Sequence, residues 1–494
     1  MTNQSINYIL SKQIQKQNIM NFLDALQTED TLTENGMVTN SSTLNECVNL
    51  FFTIGAMRGQ DKERLLSLFS KAFIENPQTA LRILFWVRDV RGGAGERQIF
   101  RDIIQLLAEV APKVLAKNIK FIPEFGRWDD LTVLFNTKVN DDAINTIVQG
   151  LETKNGLCAK WMPRKGVIFN SIRKVMGLTP KTLRKMLVVL SKTVEQKMCA
   201  NEWTNIEYSK VPSLAMARYT KAFSKHDLTG FGVYLESLKK GETKVNAGAV
   251  YPYDIVKTLG QGVKDLAVEQ WKALPNFMEG STERILPVVD VSGSMSTSAG
   301  NNNNLSCMDV AVSLGLYISE RNEGSFKDSF ITFSERPQLQ KLSGNLYDRY
   351  TQLRTADWGM STNLESVFKL ILNQSIKHNV PQSEMPTKIL ILSDMEFNQA
   401  TRSDYFNRPK RNISAIQMIR EEYENSGYQL PGIIFWNIQS RGDNFPVRFD
   451  ESGTALISGF SPSILKSILG GKELSPVLIM NETIESERYK MIEV

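Results

Sequence analysis

The sequence predicts a multidomain molecule in two parts, an all-α helical-repeat region followed by an α/β region. Three observations predict it. At 494 residues the chain exceeds what one hydrophobic core usually serves. From about Asn45 to Lys240 the apolar residues recur at helical spacing, and after Glu279-Gly280-Ser281 they gather into short runs alternating with amphipathic stretches. The expected division is an N-terminal segment over 1–30, the helical region over 31–278 and the α/β region over 284–494, with the boundary near 275 to 284.

In the helical region, Leu65-Leu66-Leu68-Phe69-Ala72-Phe73 and Ile99-Phe100-Ile103-Ile104-Leu106-Leu107 each mark one buried helix face. Breaks at Asn76-Pro77, at Arg91-Gly92-Gly93-Ala94-Gly95, at Ile122-Pro123 and at Leu178-Thr179-Pro180 separate such runs. Stacked helical hairpins in a HEAT-like array follow, although no clean repeat period is visible. In the second region the expected strands are Ile285 to Asp290, Ser329 to Phe333, Lys388 to Ser393, Gly432 to Trp436 and Thr454 to Ser458. Helices are expected over Met308 to Arg321, Leu364 to Leu372, Ile413 to Tyr423 and Pro462 to Leu469. That alternation predicts a mostly parallel sheet covered on both faces.

Composition excludes several classes. An apolar fraction of 42% and a charged fraction of 22% are ordinary for a globular protein. No run of apolar residues suits a membrane span, and the polar start lacks a leader pattern, so a cytoplasmic protein without membrane contact is expected. Cys47, Cys158, Cys199 and Cys307 have no C-x-x-C spacing and read as buried small hydrophobes. With only His226 and His378, far apart, metal-histidine catalysis and a serine triad have little to work with.

The densest chemical signal is the turn Asp290-Val291-Ser292-Gly293-Ser294, which places a carboxylate and two hydroxyls at alternate positions after a buried strand. That is the edge where open α/β sheets bind ligands, and hard divalent cations take oxygen donors of this kind. The plainer reading is that Ser292 and Ser294 cap the next helix. This Asp-x-Ser-x-Ser pattern resembles the metal-ion-dependent adhesion site of von Willebrand factor A domains, whose fold is Rossmann-like. The resemblance implies two more ligands: Thr362, in Trp358-Gly359-Met360-Ser361-Thr362-Asn363, and Asp394, after the strand Ile389-Leu390-Ile391-Leu392-Ser393. It also implies an open metal position for an acidic group from a protein partner. Mg²⁺ is the expected ion, and Mn²⁺ or Ca²⁺ would suit the same donors.

The phrases Phe85-Trp86-Val87-Arg88-Asp89-Val90-Arg91-Gly92-Gly93-Ala94-Gly95-Glu96-Arg97 and Ile122-Pro123-Glu124-Phe125-Gly126-Arg127-Trp128-Asp129-Asp130-Leu131 resemble the TROVE module of Ro ribonucleoproteins. The similarity covers roughly residues 30 to 260 and is stronger to TROVE-like proteins of unassigned function, which also share Lys197-Met198-Cys199-Ala200-Asn201 and Val211-Pro212-Ser213 and carry a C-terminal A domain. It implies a ring of HEAT-like repeats, closed by the A domain, that binds small structured or defective non-coding RNAs as a scaffold or in surveillance. A monomer is the expected state.

The net charge of +5 says little, but its distribution is uneven. Between Lys160 and Ala200 stand ten basic residues against one acid, Glu195. Lys160, Arg164, Lys165, Arg173, Lys174, Lys181, Arg184 and Lys185 are the candidate RNA contacts, with Trp161 and Phe169 as stacking surfaces. A solvated helix face is the plainer reading of such a run. Arg91 to Arg97 lacks the ending of a P-loop and reads as a tight interhelical turn. Arg127-Trp128-Asp129-Asp130 reads as an interhelical anchor, and Arg441-Gly442-Asp443 as a polar loop. No catalytic activity is expected. The competing readings are a metal-dependent protein-interaction scaffold without RNA and, more weakly, a metal-dependent nuclease.

Overall fold

The computed structural model describes residues 30–243, 245, 250–259, 264–300, 305–333, 336–356, 362–398, 415–469 and 473–494. Almost all of the expected N-terminal segment and the stretch Trp358-Gly359-Met360-Ser361 lie outside the described residues. Within them, β1 (Asp30–Leu32) and β2 (Val38–Asn40) pair antiparallel. The turn between them contains Asn35-Gly36, with Gly36 at φ 84, a left-handed conformation that glycine adopts without a Cβ clash. Helix α1 (Glu46–Ile54) follows, and every residue from Cys47 to Ile54 is buried. A helix buried all round needs cover on all sides.

That cover comes from both halves of the chain. α2 (Lys62–Glu75) and α3 (Pro77–Arg88) pack on one side of α1. Asn76 ends α2 and caps α3, accepting the Thr79 amide at 3.1 Å, with Pro77 at the first helical position. The glycine turn leads into α4 (Arg97–Val110), α5 (Pro112–Asn118), α6 (Ile122–Phe125), α7 (Asn140–Glu152) and α8 (Gly156–Trp161). Next come α9 (Val167–Val175), α10 (Pro180–Ser191) and α11 (Val194–Cys199). α12 (Ser213–His226), α13 (Leu228–Lys239), α14 (Pro252–Leu259) and α15 (Lys264–Lys272) complete the helical half. Ile206, Tyr208, Met216, Phe223, Phe231 and Tyr234 form a separate smaller core around α12 and α13.

After α15 the chain enters β3 (Ile285–Val289), then α16 (Cys307–Arg321), β4 (Ser329–Thr332), β5 (Leu339–Lys341), α17 (Leu346–Arg354) and α18 (Leu364–His378). β6 (Lys388–Ser393), α19 (Ala415–Asn425), β7 (Gly432–Asn437), β8 (Thr454–Ser458), α20 (Leu465–Ile468) and α21 (Pro476–Ile484) complete it. The sheet order is β5-β4-β3-β6-β7-β8, parallel throughout except for the β4–β5 pair. The five expected strands are present. β5 was not expected, because its burial is low and it belongs to an exposed antiparallel edge without an apolar run. The last expected helix divides into a 3-10 turn (Pro462–Ile464) and α20.

The main apolar core draws on residues from Met37 to Leu187 and from Tyr253 to Ile492 and so crosses both halves. β8 meets α1 through Ser458, whose hydroxyl donates to the Phe51 carbonyl at 2.7 Å and accepts from the Gly55 amide at 3.1 Å. The C-terminal turn returns to the helical half, where Tyr489 and Arg488 both donate to Asp89 at the end of α3. Arg58 grips Glu96 with Nε and Nη2 and lies 4.4 Å over the Phe460 ring. Among the cysteines Cys199 departs from expectation by being exposed, while the other three are buried.

The Arg127-Trp128-Asp129-Asp130 phrase is an anchor between helices. Asp130, fully buried, receives Arg88 Nε and Nη2 at 2.7 Å and Arg101 Nε at 2.7 Å, and also the Arg127 amide at 2.9 Å. Removing one member of a buried, fully bonded charge cluster strands its partners without water. Asp130→Ala is therefore expected to cost about 3–5 kcal/mol, measured as a lowered urea midpoint, and a loss below roughly 1 kcal/mol, the size of an exposed pair, would contradict this role for Asp130.

Candidate functional site

Chain order reverses across the sheet between β3 and β6: β4 is added on one side of β3, and β6, β7 and β8 on the other. The crevice at the strand ends beside such a switch point is where a ligand reaches backbone and side chains from two loops at once. Asp290 stands at the end of β3 and Asp394 at the end of β6. Both are essentially buried, at 0% and 2% exposure. Asp290 extends the ladder through its amide to the Leu392 carbonyl at 3.0 Å. One of its oxygens accepts the Ser292 amide at 2.9 Å and the other the Ser393 hydroxyl at 2.6 Å. The Ser292 and Ser294 hydroxyls lie 3.0 Å apart.

Met395, directly after Asp394, takes a left-handed φ of 66. For a non-glycine residue this conformation is costly and frequent at functional sites. The Asp394 carboxyl is pushed up by burial, against the pull of the Ser294 hydroxyl, the Arg441 guanidinium and the Glu396 amide. Its Oδ2 is buried without a hydrogen-bond donor. Burial, then the nearby charge of Asp394, pushes Asp290 up to about 6. Two carboxylates placed together in a dry crevice, one with an orphaned oxygen and both flanked by hydroxyls, form a donor set that fits a small hard cation. Among the described residues no group of three or more His, Cys, Asp or Glu side chains gathers in a metal-holding arrangement, so the set consists of two carboxylates and hydroxyls.

Of the five sequence-derived ligands, Asp290, Ser292, Ser294 and Asp394 come together. Thr362 reaches the same strand end by another route: its hydroxyl donates to the Glu396 carbonyl at 2.8 Å and lies 3.0 Å from Asn398 Oδ1. Three site residues were missed in the sequence. Ser393 orients Asp290. Arg441, read as part of a polar loop, donates through Nη2 to the Ser294 carbonyl at 2.7 Å and stands 3.8 Å from Asp394 Oδ2. Glu34 arrives on the β1–β2 hairpin, whose Asn35-Gly36 turn signal was available at sequence level.

The basic segment is spread over α8, α9 and α10. Lys165, Lys174, Lys181, Arg184 and Lys185 are exposed, and Lys192 with them. Among the described residues none of the eight candidates has an ion-pair partner. The arginines are partly occupied as helix caps: Arg164 donates to the Ala159 and Met162 carbonyls, Arg173 to the Leu178 carbonyl and Arg184 to the Arg164 carbonyl. The stacking expectation is corrected for Phe169. Phe169 is 2% exposed beneath Arg184 and is not free to receive a base, while the half-buried Trp161 has Arg127 over one face at 3.8 Å. Val167, Val175, Val188 and Val189 are instead the exposed apolar groups on this face.

A cleft of about 750 Å³ between the two halves carries both signs of charge, with Arg58, Lys62, Arg97 and Lys257 lining it beside Glu96, Asp102 and Asp254. Arg58 and Lys62 are paired with Glu96 and Asp102. Arg97 is held below its ordinary range by burial and by the charges of Arg127 and Arg101. His226 stacks flat on Trp203 at 4.3 Å and His378 is exposed at the end of α18, both away from this chemistry. No helix among the described residues is long and apolar enough to cross a membrane.

Residues 33–156 and 168–285 match a family described as Domain of unknown function (DUF2828), and residues 284–491 match Domain of unknown function (DUF7788). The chain is 30% identical to the uncharacterized protein L728 of Acanthamoeba polyphaga mimivirus over 515 residues, covering 92% of this chain and 87% of the relative. None of these descriptions states an activity.

The raised Asp290 has a stability consequence. From the ordinary aspartate range up to about 6, the folded protein retains a proton that the unfolded chain has released. Without divalent cation, this pair therefore lowers stability as pH rises through that window. Asp394→Asn removes the repulsion, so in EDTA its melting temperature relative to wild type is expected to rise by about 2 °C or more between pH 4 and pH 7. A pH-independent difference would show that the two carboxyls do not interact.

Proposed function

We propose a function from the premise that this chain belongs to one family with the uncharacterized mimivirus protein L728, with DUF2828 and DUF7788 matching its two halves: it is an RNA-binding protein whose α/β half carries a divalent-metal site. The observation that carries the RNA reading is the exposed row Lys165, Lys174, Lys181 and Lys185, which has no ion-pair partner among the described residues. Unpaired lysines on neighbouring helices leave a field that a phosphate backbone neutralises, with release of counterions. The similarity to the TROVE module of Ro proteins supports the same reading and favours small structured or defective non-coding RNAs.

For the metal, the reading is an A-domain type of site with Asp290, Ser292, Ser294 and Asp394 as holders and Thr362 on the adjoining loop. Mg²⁺ suits the small oxygen donors, with Mn²⁺ or Ca²⁺ as substitutes. A cation held there supplies an open coordination position for an anionic oxygen. Asp394 Oδ2, buried and without a donor, favours a cation there, and the second reading is that this cation captures a carboxylate-bearing protein partner.

Changing Lys165, Lys174, Lys181 and Lys185 together to Glu tests the first reading by filter binding with a small structured RNA. Wild-type affinity is expected to fall steeply with salt, and the slope of log affinity against log salt to flatten by about 3 in the variant. Equal affinity and equal slope would overturn it. Asp290→Ala tests the second: Mn²⁺ binding is expected to disappear while RNA affinity stays unchanged, and retained Mn²⁺ binding would remove Asp290 as a holder.

A further inference from the structure

The β1–β2 hairpin lies across the strand ends that form the crevice. Asn40 and Phe445 exchange amide-to-carbonyl bonds at 3.1 and 2.9 Å, and Gly36 bridges to Asn398. Thr33 donates to the Phe397 carbonyl at 2.6 Å, and Asn35 to the Glu396 carbonyl at 2.6 Å. The Glu34 amide donates to the Glu396 carboxylate at 2.6 Å, and Asn444 steadies that carboxylate at 2.8 Å. Glu34 is thus pinned by its backbone at the mouth of the site while its side chain remains 65% exposed.

The placement of charge there is unusual. The charge of Glu34 bears on Asp394, and both bear on Glu396, whose carboxylate is held by the Glu34 amide and by Asn444. Arg441 is the cation set among them, 3.8 Å from Asp394 Oδ2 and 4.0 Å from Glu34 Oε2. That guanidinium is already committed to the Ser294 carbonyl and Thr297, and Asp394 Oδ2 is left without a hydrogen-bond donor beneath it. Arg441 stands between Glu34 and Asp394, so Glu34 reaches the crevice only when this half-buried guanidinium turns aside.

We propose that the hairpin is an internal ligand of the metal site: Glu34 supplies the acidic group that closes over a cation held by Asp290, Ser292, Ser294 and Asp394. This rests on the metal reading above. An outside carboxylate then gains the cation only by displacing Glu34, and cation binding ties the start of the helical half to the α/β sheet. The hairpin is held to the sheet by hydrogen bonds from its turn and from β2, so it is positioned for this role before any ion arrives, which lowers the ordering cost of the final ligand.

The experiment uses the full chain and Mn²⁺ alone as probe, with free Mn²⁺ read by electron paramagnetic resonance and amide exchange followed over residues 30–40. Wild type is expected to bind one Mn²⁺ and to slow exchange in the hairpin when it does so. Glu34→Gln is expected to weaken Mn²⁺ about tenfold or more, to lose the exchange effect, and to regain affinity when acetate is added, whereas acetate leaves wild type unchanged. The variant keeps the backbone bond to Glu396, and an unchanged melting temperature in EDTA verifies its fold. Equal Mn²⁺ affinity in wild type and Glu34→Gln, with exchange unaffected, would overturn the hairpin inference and leave the metal site standing. Absence of Mn²⁺ binding in wild type would overturn both.

Discussion

Two aspartates at the ends of neighbouring parallel strands, shut away from water, impose the condition around which the crevice is organised. A carboxylate in a low-dielectric pocket needs donors or a cation, and each oxygen left without one raises the free energy of the ionised form. Asp290 meets the condition with the Ser292 amide and the Ser393 hydroxyl. Asp394 meets it only in part. The serine turn, the left-handed Met395 and the approach of Arg441 are arranged around that remaining deficit.

The chain's two halves are joined at several places, one of them beside this crevice. A helical region and a sheet region read separately in sequence would each be expected to enclose its own core. Here α1 is buried against β8, the C-terminal turn is bonded to Asp89, and Arg58 spans from Glu96 to Phe460. The hairpin adds a fourth joint beside the metal-type donors. Buried polar joints of this kind fix one relative arrangement because a displaced partner loses its bonds without regaining water. The chemistry of the α/β half and the placement of the helical half are therefore physically coupled.

The basic face is different in kind. Its lysines are open to solvent and make few bonds to the rest of the fold, so they leave charge available for a polyanion. Its arginines contribute to packing by capping α8, α9 and neighbouring turns. A row of basic letters does not separate these two uses, since both need the same residue type and only the backbone partner differs.

Periodicity alone was enough to read the strands β3, β4, β6, β7 and β8 and the helices α16, α18 and α19, though not α17 or α21, because burial on both faces of a parallel sheet demands continuous apolar runs and an amphipathic helix demands a spaced stripe. The turn Asp290-Val291-Ser292-Gly293-Ser294 was legible for a similar reason: its donors are adjacent in the chain. The nearness of Asp394, Arg441 and Glu34 was not, since they lie on separate loops, Glu34 hundreds of positions before the other two, and meet only when the sheet assembles and the hairpin folds across it. Local chemistry is written in neighbouring residues, whereas a charge balance among remote ones exists only once packing has brought them into one dry space.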